Sequence, residues 1–148
     1  MDDKSEMSEL QHGFTKWRSC LTNLLESFEA WTRLLKEGHG VDIIYLDYRK
    51  ALDMVHHGRL IDKLISNGVD ERITRWVKEF LSEKKMKVGL QGSFSEWVDV
   101  LNDIPQGSVL GPLLFLIFVN DLPIWVSNSM RMYADDTKIW REIASGGE

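Results

Sequence analysis

One cysteine, three prolines and no long apolar run set the first limits on this chain of 148 residues. Cys20 has no partner for an internal disulfide, so the fold does not depend on an oxidising compartment. The most apolar stretch, 109–119, is far short of the roughly 20 residues a membrane helix needs. The opening MDDKSEMSEL is acidic and polar, which excludes both a secretory signal and a basic transit peptide. Basic residues are in the minority: 18 Lys and Arg against 23 Asp and Glu give a net charge of −5. That balance argues against a free-standing nucleic-acid binder, because phosphate neutralisation draws on Lys and Arg. Bound divalent cations, or basic surfaces lying outside these residues, would reconcile an acidic chain with such a role. There is no Walker-type phosphate loop, no Gly-x-Ser-x-Gly turn, no internal repeat and no low-complexity linker. The default expectation is an intracellular protein, of cytoplasm or nucleus, that does not span a membrane. Its composition, 43% hydrophobic and 28% charged, is that of an ordinary packed domain.

Residues 1–12 read as a polar tail and 144–148 as a frayed end, with one domain over 13–143. Leu21, Leu24, Leu25, Phe28, Trp31 and Leu35 recur at helical spacing, which predicts a helix over 20–36 that buries this stripe and ends at Gly38. The run VDIIYLD, 41–47, predicts a buried strand with Val41, Ile43, Tyr45 and Asp47 on one face. Further helices are expected over 59–67 and from an Asp70 N-cap through Leu81. Strands over 85–90 and 95–101 are joined through Gln91-Gly92-Ser93, and 108–121, apolar all round, reads as a buried helix. The stretch 130–140 reads as a hairpin with Asp135 and Asp136 at its tip. These elements point to an α+β fold, an antiparallel sheet with helices packed on one face.

Three features could carry chemistry. Asp135-Asp136 in a polar turn is compatible with two solvated acids, but strand-like flanks would hold the pair rigidly. Adjacent carboxylates repel one another, and a hard divalent cation is the natural counter-charge. Asp47 ends an apolar strand, where it either faces water or is paired or metal-bound. If that strand lies beside the 130–140 hairpin, all three carboxylates converge, as a two-metal phosphoryl-transfer site requires. IPQGSVLGP, 104–112, is a helix-start loop in which Pro105 restricts the backbone, Gln106 offers an amide and Gly107 permits close approach to a ligand. His56-His57 lacks companions at metal-ligand spacing. The cluster Lys84, Lys85 and Lys87 reads as a solvated edge strand or a contact to a nucleic-acid backbone.

In order along the chain, QHGFTKWRSCLTNLL, VDIIYLDYRKALDMVHHGRLIDKL, IPQGSVLGPLLFLIFVNDLP and MYADDTKIW resemble four successive blocks of the reverse transcriptases of non-LTR, LINE-type (jockey-like) retrotransposons. The resemblance runs from Gln11 to Trp140. It implies the palm of a right-hand polymerase, with most of the fingers and the thumb lying outside these residues. It implies that Asp47, Asp135 and Asp136 ligate two Mg²⁺ ions, with Mn²⁺ as an in vitro substitute. Leu52, Gln106 and Gly107 would meet the nucleotide and template. The partners implied are an RNA template, a DNA primer and dNTP, and the reaction is attack of the primer 3′-hydroxyl on the dNTP α-phosphate. The identity of any protein partner stays open.

The chain departs from the family pattern at four places. Leu52 stands where an aromatic residue usually excludes the ribonucleotide 2′-hydroxyl. Asp103 and Trp17 stand where glycine is usual, and His56 where proline is common. The changes at Leu52 and Asp103, with the thumb lying outside these residues, support an alternative: a non-catalytic, retrotransposon-derived remnant that acts as an interaction or binding module or has no selected role.

Overall fold

The computed structural model describes residues 7–48, 50–82, 84–104 and 107–144. The chain opens with α1 (Cys20–Lys36) and β1 (Gly40–Leu46). A helical pair follows, α2 (His57–Ser66) and α3 (Glu71–Leu81), then four short strands, β2 (Lys85–Met86), β3 (Gly89–Leu90), β4 (Ser93–Phe94) and β5 (Val98–Asp99). It continues through α4 (Leu110–Val119) and α5 (Leu122–Trp125) to β6 (Ser129–Tyr133) and β7 (Asp136–Ile143). Two compact units result, one built on Lys50–Phe118 and the other on Met7–Arg49 with Val119–Glu148. Both combine helices with antiparallel strands, as the predicted α+β class requires.

In the first unit, α2 and α3 bury Leu60, Leu64, Val77 and Leu81, none more than 2% exposed. Asp70 caps α3 as its sequence position predicts, its carboxylate accepting the Arg72 N–H at 2.8 Å. His56 caps α2 through Nδ1, and His57 Nε2 lies 2.7 Å from the Asp103 carbonyl, so the histidine pair has a structural use. The predicted hairpin forms in two short segments. Its turn, Gln91-Gly92, has both residues at positive φ, 49° and 86°, the sign pattern of a type I′ loop. The apolar helix is shorter than predicted, and it buries Gly111, Leu114, Phe115 and Leu116 while Leu113 is 48% exposed.

The second unit is a three-stranded antiparallel sheet in the order β1-β7-β6, with α1 against β1 and β6. The helix spans the predicted residues, started by reciprocal bonds between Ser19 and Thr22. Its buried face differs from the predicted one. Asn23, Ser27 and Trp31 face inward, whereas Leu21, Leu25, Phe28 and Leu35 are each more than half exposed. The reason is polar: Asn23 donates to the Met132 carbonyl at 3.0 Å and accepts from Lys138 Nζ, and Ser27 bonds back to the Asn23 carbonyl. A helix face that satisfies buried sheet groups can pack despite its low hydrophobicity. The strand predicted as buried, β1, is likewise an edge strand bonded to β7 alone, with Ile44 57% and Tyr45 65% exposed.

Two of the positions where the resemblance leads one to expect glycine lie on backbone that favours it. Trp17 sits at φ 64° and Asp103 at φ 125°, backbone regions that L-residues rarely occupy. Trp17 is 88% exposed and has little packing to lose. We expect Asp103→Gly to stabilise its unit by roughly 1–2 kcal/mol and Trp17→Gly by about 1 kcal/mol, strain relief exceeding the added chain entropy of glycine. Urea midpoints that fail to rise in either variant would show the backbone there to be unstrained.

Candidate active site

The ladder of β6 and β7 closes at Tyr133↔Asp136, leaving Ala134-Asp135 as a two-residue loop. Ala134 has φ 54° and Asp135 is not at positive φ, the sign pattern of a type II′ turn. Strand pairing therefore places the acidic pair at the hairpin tip, as its sequence suggests. Asp136 is exposed and Asp135 half-buried.

The third carboxylate reaches the same end of the sheet through β1. The last β1–β7 pair is Leu46↔Thr137, and Asp47, exposed, is the next residue. Continued by one step, this register sets Asp47 opposite Asp136. By the two-residue alternation of a strand, Asp136 shares a face with Lys138, which bonds Asn23, and Trp140, which packs edge-to-face on Trp31 with ring centroids 5.8 Å apart. That is the face covered by α1. Burial lowers the Lys138 pKa, an effect opposed by Cys20 and Asp136.

Three carboxylates at one sheet end offer the hard oxygen donors that a divalent cation prefers. Among the described residues, however, no group of three or more His, Cys, Asp or Glu is placed to hold a metal ion. The predicted convergence is thus one of strand position, short of a closed ligand set. Leu52 and Gly107 belong to the first unit. The Leu52 carbonyl accepts the Ile104 N–H at 3.1 Å, and Gly107 is exposed at φ 79°. Gln106 lies outside the described residues.

Sequence reasoning missed the residues beneath the turn. Gln11 and His12, assigned to a polar tail, are 2% and 1% exposed and lie along β6. Gln11 bonds both backbone groups of Ala134. His12 sets Nδ1 3.0 Å from Thr22 Oγ1 and Nε2 3.4 Å from Glu26, which bonds Arg131 at 2.7 Å. The only signal for them was their membership of the first resembling block.

Burial lowers the His12 pKa, helped by Arg18 and Arg131 and opposed by Glu26. Burial acts to raise the Glu26 pKa, but its bond to Arg131, with His12 and Arg18 nearby, brings it below the usual value. Both groups therefore bind protons more readily unfolded than folded. Their stabilisation is present above pH 6.5, the ordinary value of the histidine, and falls as the medium is acidified through and below 4.5, that of the glutamate. Urea midpoints that are level or rising from pH 7 down to pH 4 would contradict this.

A family profile described as "Reverse transcriptase (RNA-dependent DNA polymerase)" matches residues 1–143. The chain belongs to the reverse transcriptase family. It is similar to the RNA-directed DNA polymerase from mobile element jockey of Drosophila funebris, 34% identical over 77% of this chain. The same-named protein of Drosophila melanogaster is 32% identical over 64% of it, and a probable RNA-directed DNA polymerase from transposon X-element is 31% identical over 92%. This reverse-transcriptase chain spans only 11–15% of the length of those relatives. No helix among the described residues is long and apolar enough to cross a membrane.

Proposed function

We propose that these residues form part of the palm of an RNA-directed DNA polymerase of the LINE type, with the Asp135-Asp136 hairpin and Asp47 as its reacting centre. The observation that carries this reading is the antiparallel register of β1 on β7, which brings Asp47 to the end of the sheet where the paired acids stand. Asp47, Asp135 and Asp136 would hold two Mg²⁺ ions, replaceable by Mn²⁺ in vitro, which supply charge neutralisation at the transferring phosphate. Leu52, Gln106 and Gly107 would border the incoming dNTP and the RNA template, with a DNA primer as the third nucleic-acid partner. The protein would work in the cytoplasm or nucleus, away from membranes, and parts outside these residues would grip the duplex.

Primer extension on an RNA template with Mg²⁺ or Mn²⁺ tests the site. Any extension by the chain should vanish in Asp47→Asn and Asp135→Asn while their circular dichroism stays unchanged. Extension by either variant equal to that of the unaltered chain overturns the assignment. With extension in hand, Leu52→Phe should improve discrimination of dNTP over rNTP, because an aromatic ring there fills the space a 2′-hydroxyl needs.

A second reading, a non-catalytic remnant, is favoured by the strained backbone at Trp17 and Asp103 and by the lack of a closed ligand set among the described residues. It expects no extension and no site-specific Mn²⁺ binding.

A further inference from the structure

Gln11 uses its buried side chain entirely on backbone. Its Oε1 accepts from the Ala134 N–H at 2.8 Å and from the Gly13 N–H at 2.7 Å, and its Nε2 donates to the Ala134 carbonyl at 3.3 Å. Ala134 is the first residue of the two-residue loop, at φ 54°, a conformation that costs an L-residue energy, so partners from outside the ladder help to hold it there. One amide thus grips both polar groups of the residue that precedes the two carboxylates.

A second, independent observation concerns space. A Cβ at Gly13 would lie 2.3 Å from the Ala134 nitrogen and 3.0 Å from its Cα, so this loop lies directly on the turn. The loop is anchored to β6 by the Met132 N–H donating to the Leu10 carbonyl at 2.9 Å and the His12 N–H to the Met132 carbonyl at 2.8 Å. An amide suits this place better than a carboxylate. It supplies a donor and an acceptor without adding negative charge beside two acids.

We propose that Gln11 and Gly13 are positioning residues: they hold the turn at Ala134 and thereby set where Asp135 and Asp136 present their oxygens to a divalent cation. The cation half of this statement rests on the polymerase reading above; the clamp on the turn does not.

The test uses the full chain and Mn²⁺ alone. In metal-free protein, Gln11→Met should speed hydrogen exchange of the Ala134 amide about tenfold or more relative to the unaltered chain. It should also raise the Mn²⁺ Kd, read from paramagnetic broadening of the Asp135 and Asp136 resonances, about tenfold or more. Met130→Ala, a cavity in the same sheet away from the turn, should leave that Kd unchanged. Gln11→Glu provides a rescue, because a protonated carboxyl matches the amide in donor and acceptor. Its Ala134 amide shift should coincide with that of the unaltered chain near pH 4 and depart from it at pH 7.

Unchanged Ala134 exchange in Gln11→Met, or a Gln11→Glu shift that ignores pH, overturns the clamp whether or not Mn²⁺ binds. Unchanged Mn²⁺ affinity in Gln11→Met beside a binding parent overturns the positioning of the carboxylates. Absence of Mn²⁺ binding in the unaltered chain overturns the polymerase reading and the cation half with it, and the Ala134 amide then decides the clamp alone.

Discussion

Gly13→Ala is expected to destabilise the sheet unit by about 3 kcal/mol or more, the upper end for overpacked sites. A methyl group at this position meets the backbone of the turn, with the Ala134 nitrogen at 2.3 Å and the Tyr133 carbonyl carbon at 3.0 Å. Side-chain rotation cannot relieve a contact with backbone, so either the 10–13 loop lifts from β6 or the turn moves. Lifting the loop exposes Gln11 and His12 and removes the partners of Ala134. Gly13 is not at positive φ, so the requirement is one of space rather than of backbone freedom. Urea unfolding followed at Trp31 and Trp140 should show the midpoint fall, and a loss below roughly 1 kcal/mol would mean that the loop is not seated on the turn.

Trp140→Ala should cost the same unit about 3–5 kcal/mol, the range for removal of a buried aromatic side chain. Trp140 is 5% exposed on the central strand of the sheet, paired with Ile43 on β1 and Ser129 on β6. It meets Trp31 edge-to-face at 5.8 Å and an interplanar angle of 89°, and the Arg131 guanidinium lies 5.9 Å from its ring centroid. With Leu21, Leu25, Phe28 and Leu35 of α1 turned outward, Trp31 against Trp140 is an apolar contact that helps to seat that helix. Loss of the indole should therefore release α1 as well as open a cavity. A change in unfolding free energy below about 1.5 kcal/mol would show the helix to be held by its polar bonds instead.

The local features were legible. The bounds of α1 and α3, the Asp70 cap and both hairpin turns depend on spacing and turn chemistry within a few residues, and the structure bears them out. The acidic pair fell at a hairpin tip for the same reason. The misjudged burial patterns depend on distant partners. The stripe of α1 was read as its buried face because hydrophobicity is the usual cause of burial. The competing cause, Asn23 reaching Met132 and Lys138, joins residues 109 and 115 positions apart. Gln11 and His12 look like tail residues until the edge of β6 is placed beside them. At Trp17 and Asp103 the departure from glycine was visible in the sequence, but its cost follows from φ values that only the backbone path defines.

The sequence by itself determined the family, through four blocks in fixed order, and that resemblance singled out Asp47, Asp135 and Asp136 as candidates, because residue type and short spacing within each block carry it. Tertiary structure alone decided which face of α1 is buried and that β1 lies at an edge. It also decided that Asp47 reaches the hairpin's end of the sheet without a metal-ligand group closing among the described residues, and that a buried glutamine grips the turn before the carboxylates. Each of these depends on hydrogen bonds or strand register between segments far apart in the chain, and such pairing leaves no periodic trace in either segment alone.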